Sequence, residues 1–94
     1  MSTATKLKAI SGMKGVAFLY RCEPPMPDYD NKAHEYVVVS AADAMFSGPE
    51  TYIFPANADG EITDWGEMPG SFRGSLDHNQ ALRNVDYEPK GETE

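Results

Sequence analysis

The strongest strand signal in the chain lies at residues 34–41, where Val37, Val38 and Val39 follow His34, Glu35 and Tyr36. Three consecutive β-branched side chains stiffen χ1 and suit a pleated surface, so this stretch is predicted as a strand. Lys6 to Ser11 alternates polar and apolar positions, as a half-buried strand does. Val16 to Cys22 is apolar on both parities until Arg21, which suits a central strand covered on both faces. Glu50 to Phe54 reads as a further strand ended by Pro55, and Glu61 to Trp65 as its hairpin partner. Asn57-Ala58-Asp59-Gly60 supplies the turn between them, with Asp-Gly providing the positive φ.

Other segments lack periodicity. Gly12 to Gly15 and Phe46 to Pro49 read as turns, and Ala42 to Met45 fits a helical turn or a bulge equally well. Residues 23–34 hold Pro24, Pro25 and Pro27. Proline locks φ and removes a backbone donor, so this stretch is predicted as a long loop. Gly66 to Gly74 reads as a second long loop carrying Met68, Phe72 and Arg73.

One helix is expected, over residues 78–85. Asp77 fits the N-cap and Gln80 the N3 position of a capping box, with Leu76 and Ala81 placed for a hydrophobic staple. Leu82 and Val85 then share one face. So short a helix must dock on a sheet to persist.

No strand alternates with a crossover-length helix, which argues against a parallel βαβ architecture. The predicted fold is α+β and β-rich: a small antiparallel sheet of four to five strands with one short C-terminal helix packed on it. Residues 1–5 are expected to form a mobile lead, 6–87 the single domain and 88–94 a polar tail. At 94 residues the chain suffices for one domain. A chain of this size buries only about 60–65% of its unfolded surface, so its core is thin and a deep substrate cavity is hard to build.

Charge changes this picture. The net charge is −7. Residues 1–47 hold five basic and five acidic side chains, whereas residues 48–94 hold three basic and ten acidic, so the whole excess lies in the second half. Such a field repels phosphates and anionic lipid heads and attracts basic surfaces, which argues against direct nucleic-acid or membrane binding. The lone Cys22 permits no internal disulfide, the first residues lack the apolar region of a signal peptide, and no apolar run reaches the roughly 20 residues of a membrane span. A cytoplasmic location is the expectation.

Candidate chemistry fails position by position. Against the twelve-residue calcium loop, Asn57 and Asp59 fit positions 3 and 5, but Pro55 and Gly66 would occupy positions 1 and 12, where oxygen donors are required. Cys22 with His34 or His78 could form a thiolate–imidazole pair, but a cysteine among Phe18, Leu19 and Tyr20 is the usual setting of a small core residue. One cysteine and two distant histidines give no zinc spacing. Asp64 and Glu67 form a carboxylate pair of the kind ten acids produce by chance. Neither glycine-rich stretch has the spacing or the Lys-Ser/Thr end of a phosphate loop. No cofactor is expected.

The remaining signal is apolar residues in loops. Met26, Tyr29, Met68, Phe72 and Arg73 are of the types enriched at interface hot spots, and loops run over surfaces. They are the candidate partner-binding residues, although loop aromatics also fold back to cover a thin sheet.

Residues 37–40 (Val-Val-Val-Ser), 46–51 (Phe-Ser-Gly-Pro-Glu-Thr), 53–56 (Ile-Phe-Pro-Ala), 59–65 (Asp-Gly-Glu-Ile-Thr-Asp-Trp) and 70–78 (Gly-Ser-Phe-Arg-Gly-Ser-Leu-Asp-His) resemble small uncharacterised proteins encoded by phages of actinobacteria. The resemblance spans residues 37–87 and carries over no functional residue. It implies an accessory phage protein, made in the host cytoplasm, of a kind that commonly binds and modulates a host factor. The absent catalytic motifs, the small core and the two aromatic-bearing loops lead to the expectation of a non-enzymatic protein that binds a host or phage protein. Two other readings stand beside it: an acidic nucleic-acid mimic that inhibits a DNA-binding or defence protein, and a small enzyme or small-ligand binder. A homodimer is compatible with a thin sheet.

Overall fold

The valine run forms the centre of the sheet, with its side chains sent alternately to two faces. The structure is a computed structural model describing residues 2–11, 15–44 and 48–90. Four long strands, β1 (Thr3–Ile10), β2 (Val16–Pro27), β3 (Ala33–Ala44) and β4 (Gly48–Ala56), precede the two-residue β5 (Phe72–Arg73), the helix α1 (His78–Arg83) and the short β6 (Glu88–Lys90). They form one six-stranded sheet in the order β5-β4-β3-β2-β1-β6. Every pairing is antiparallel except β1 with β6, which is parallel, so the sheet is mixed and larger than the four to five antiparallel strands expected.

Val37 and Val39 face the helix. They pack with Tyr20, Cys22, Met26, Ile53, Met68, Leu82 and Tyr87 in the main core. Val38 points the other way and joins Ala17, Leu19 and Ala56, against which Ile10, Tyr36 and Ile62 pack. The Asn57–Gly60 turn leans on this second cluster. Gly60 stands at φ +90, so the turn needs glycine for its conformation, and a Cβ there would lie 2.7 Å from Ile10 Cδ1, the movable end of a side chain.

Several expectations change. The prolines do not end β2, which runs on to Pro27. The β2–β3 register shifts between Arg21 and Met26, and pairing with β1 stops at Glu23. Pro24 and Pro25 therefore stand where their missing N–H costs no ladder bond, and the connecting loop shortens to residues 28–32. Asp28 closes it by accepting the Asp30 and Lys32 backbone N–H groups, with Asn31 at φ +66.

Residues 61–65 do not form a strand. Ile62 makes one isolated bridge to Ala56, and the chain then leaves the ladder. The reason is that Ile62 packs on the second face while Met68 is buried in the main core. The segment between them must pass around the edge of β4, and Met68 N–H donates to the Ile53 carbonyl as it arrives.

The predicted lead and tail are partly sheet. β1 begins at Thr3 and β6 takes in residues 88–90. Ala42 to Ala44 continue β3, which resolves the choice between a helical turn and a bulge for those residues. The turn expected at 46–49 falls partly outside the described residues, as do most of the 12–15 turn, Met45 and residues 91–94.

The helix starts where expected. Gln80 N–H donates to Asp77 Oδ1 at 3.0 Å. The reciprocal half of the capping box is replaced: Asp77 N–H donates to Thr51 Oγ1, while the Gln80 amide turns to Asn84. Leu76 is exposed, so no staple forms, and the helix ends at Arg83 before a turn with Asp86 at φ +66.

Candidate functional site: an aromatic groove beside β4

Alternation along β4 buries Thr51 and Ile53 and turns Tyr52 and Phe54 to the opposite face. Opposite them in register stand Ser40 and Val38. The chain wrapping the β4 edge then lays Trp65 against Phe54, edge to face, with ring centroids 5.4 Å apart. Tyr52 and Phe54 are 6.0 Å apart in a tilted pair. Three aromatic rings thus form a ladder at the surface, and Trp65 keeps 67% of its surface exposed.

Two grooves meet at Glu67, and the ladder lines one of them. One, of about 340 Å³, is lined by Tyr52, Phe54, Trp65 and Glu67. The other, of about 200 Å³, is lined by Asp28, Tyr29, Asp30, Pro55, Asp64, Gly66 and Glu67. Glu67 borders both.

The charged groups around the ladder are unequally engaged. Arg73 Nε lies 3.4 Å from Tyr52 Oη and 3.4 Å from Glu50 Oε2. The Tyr52 hydrogen bond and the Glu50 charge push the guanidinium pKa above its usual value. Asp28 Oδ2 meets His34 Nε2 at 2.8 Å. That hydrogen bond first, helped by the Lys32 and Asp30 N–H groups, holds the Asp28 carboxyl below the usual range. Asp64 accepts only the Gly66 N–H among the described hydrogen bonds.

The five residues singled out in the sequence divide. Met26 and Met68 are 0% and 1% exposed and belong to the main core, so neither side chain is available to a partner. The sequence places each in a loop; each instead sits on a segment bonded to the sheet, with its side chain on the helix-facing side. Phe72 is half-buried against the same core, as a loop aromatic that covers a thin sheet. Tyr29 and Arg73 are exposed, Tyr29 lining the smaller groove and Arg73 touching Tyr52 of the larger.

Sequence reasoning misses Tyr52, Phe54 and Trp65, and weighs Glu67 only as half of a chance carboxylate pair with Asp64. The available signal was the parity of Tyr52 and Phe54 about the apolar Ile53, which sends two aromatics to the face away from Ile53.

The candidate nucleophile goes elsewhere. Cys22 is buried in the main core, and burial pushes its thiol up to about 12, the reverse of thiolate activation. His34 bonds Asp28, and His78 Nε2 bonds the Val16 carbonyl at 2.9 Å while its ring packs on Phe18. Among the described residues, no group of three or more His, Cys, Asp or Glu side chains is placed to hold a metal ion, and no helix is long and apolar enough to cross a membrane.

The fold and this surface define a small β-rich α+β domain with an aromatic groove at one side of its sheet. Compared with known proteins, the chain matches no protein-family model, no curated protein and no solved structure.

Proposed function

We propose that this chain is a non-enzymatic interaction protein that holds a partner protein on the Tyr52–Phe54–Trp65 ladder. The observation that carries the reading is the exposed Trp65 indole fixed against Phe54. The main core covers Phe72 but leaves this ring in water. Tryptophan and tyrosine are among the residues that dominate binding hot spots, and the ladder presents both in one groove, with Arg73 outside its lining but bonded to the Tyr52 hydroxyl. The resemblance to actinobacterial phage proteins supports a host or phage protein as the partner.

The nucleic-acid mimic reading is less well supported. It needs the carboxylates of the second half on one continuous face. Glu50 shares the parity of Tyr52, away from the helix, whereas Asp77 caps the helix on the other face. A small enzyme built on Cys22 finds the thiol in the core, outside both grooves.

The test is co-purification from host lysate with the wild-type chain, Trp65→Ser and a Val16→Ser control, quantified by mass spectrometry. The expected result is a partner lost with Trp65→Ser and kept by the control. A partner set indifferent to Trp65→Ser overturns the reading.

A further inference from the structure

We propose that the occupant of the groove is a cationic peptide segment, with an arginine side chain seated over the aromatic ladder and bonded to the carboxylates beside it. This rests on the interaction reading above and adds the chemistry of the partner.

Charge complementarity carries the inference. Four carboxylates, Asp28, Asp30, Asp64 and Glu67, border the smaller groove, and Glu67 continues into the aromatic one. Asp28 is engaged by His34. Asp30, Asp64 and Glu67 take part in none of the ion pairs among the described residues. Neither groove is lined by a lysine or arginine. An incoming guanidinium would therefore meet a ring face and a carboxylate outside these ion pairs together, although Glu67 also lies within the field of Arg73.

The two attractions act on the same group. A cation over a tryptophan or tyrosine face gains from the ring quadrupole, and the planar guanidinium can bond a carboxylate through two N–H groups at once. At the end of the same ladder Arg73 is paired with the Glu50 carboxylate and bonds the Tyr52 hydroxyl rather than a ring face, while Lys6 over the Phe18 ring, 4.0 Å from its centroid, is the cation–ring pair found among the described residues. Anionic partners, including nucleic acid, would face repulsion at this site.

Trp65 is the single tryptophan of the chain, so its fluorescence reports on this groove alone. The experiment titrates the full chain with the peptide Gly-Arg-Gly-Arg-Gly-Arg-Gly and with the same peptide carrying glutamine in place of each arginine. The expected result is a saturable change with the arginine peptide, about tenfold weaker with the glutamine peptide. Raising salt from about 50 mM to about 300 mM should weaken the arginine peptide several-fold. The double variant Asp64→Asn/Glu67→Gln should weaken it about tenfold, with an unchanged circular dichroism spectrum, while Asp59→Asn on the nearby turn should not.

Equal binding of both peptides overturns the cationic occupant and leaves the interaction reading standing. Silence of Trp65 toward both peptides overturns the proposal. The interaction reading itself falls only if the co-purified partners ignore Trp65→Ser, so the two failures are distinguishable.

Discussion

Thr51 and Asp77 are joined by a hydrogen bond of 3.1 Å from the Asp77 backbone N–H to Thr51 Oγ1. The same hydroxyl donates to the Ser75 carbonyl at 2.8 Å. Thr51 is 0% exposed, so one buried oxygen ties the helix N-terminus to β4. Thr51→Val keeps the β-branched shape but leaves both partners without this bond. The expected cost is about 1–3 kcal/mol in urea unfolding, the net worth of two lost part-buried hydrogen bonds. Thr51→Ser, which keeps the hydroxyl, should cost clearly less than Thr51→Val.

Tyr20 presents the opposite case. Its hydroxyl is buried in the main core and has no hydrogen-bond partner among the described residues. Tyr20→Phe removes an unpaired polar atom and keeps the ring. The variant should be more stable by about 1 kcal/mol. For a domain of this size, that raises Tm by about 4–8 °C, measurable by calorimetry. A fall in Tm would show that the hydroxyl is satisfied in solution.

These two residues show what was legible in the sequence. The strand carrying Tyr20, the valine run and the Asp77 cap follow from local rules, since each depends on neighbours a few positions away. The link from Thr51 to Asp77 spans 26 residues and has no local signature. The same limit explains the misplaced loops. Pro24 and Pro25 carry a local veto against strand, lifted only because the ladder is broken at Arg21–Met26 and β1 stops at Glu23. Met68 looks like an exposed loop residue until the chain is seen to wrap the β4 edge and insert it in the core. Of the candidate partner-binding residues, Tyr29 lines the smaller groove and Arg73 bonds Tyr52 of the larger, whereas two of the central rings come from β4, whose alternation sends Tyr52 and Phe54 to one face.

Cys22 and Tyr20 set the behaviour at high pH. Burial pushes both side chains up to about 12, from ordinary values of 9.0 and 10.0. The neutral forms are favoured in the folded state, so the unfolded chain releases these protons first. The associated stability is fully present below about pH 9 and is lost as pH rises toward about 12. Unfolding midpoints measured across this range should fall, and Cys22→Ala should delay the onset toward the ordinary tyrosine range. In the native protein near pH 8, the thiol should react with an aromatic disulfide reagent far more slowly than after unfolding.

Asp28 governs the acid side, in the reverse sense. Its folded pKa is lowered, chiefly by the hydrogen bond to His34 and then by the two backbone donors of its turn. A depressed carboxyl contributes stability above its unfolded pKa, near 3.9, and that contribution is lost as pH falls through the folded value. Asp28→Asn should therefore flatten the acid limb of the stability profile and leave the alkaline limb, set by Cys22 and Tyr20, in place. Because Asp28 and Tyr29 line the smaller groove, loosening this turn at low pH should also broaden the NMR signals of Tyr29 while leaving the Trp65 indole signal unchanged. Joint broadening of both would show that the turn and the aromatic ladder move as one unit.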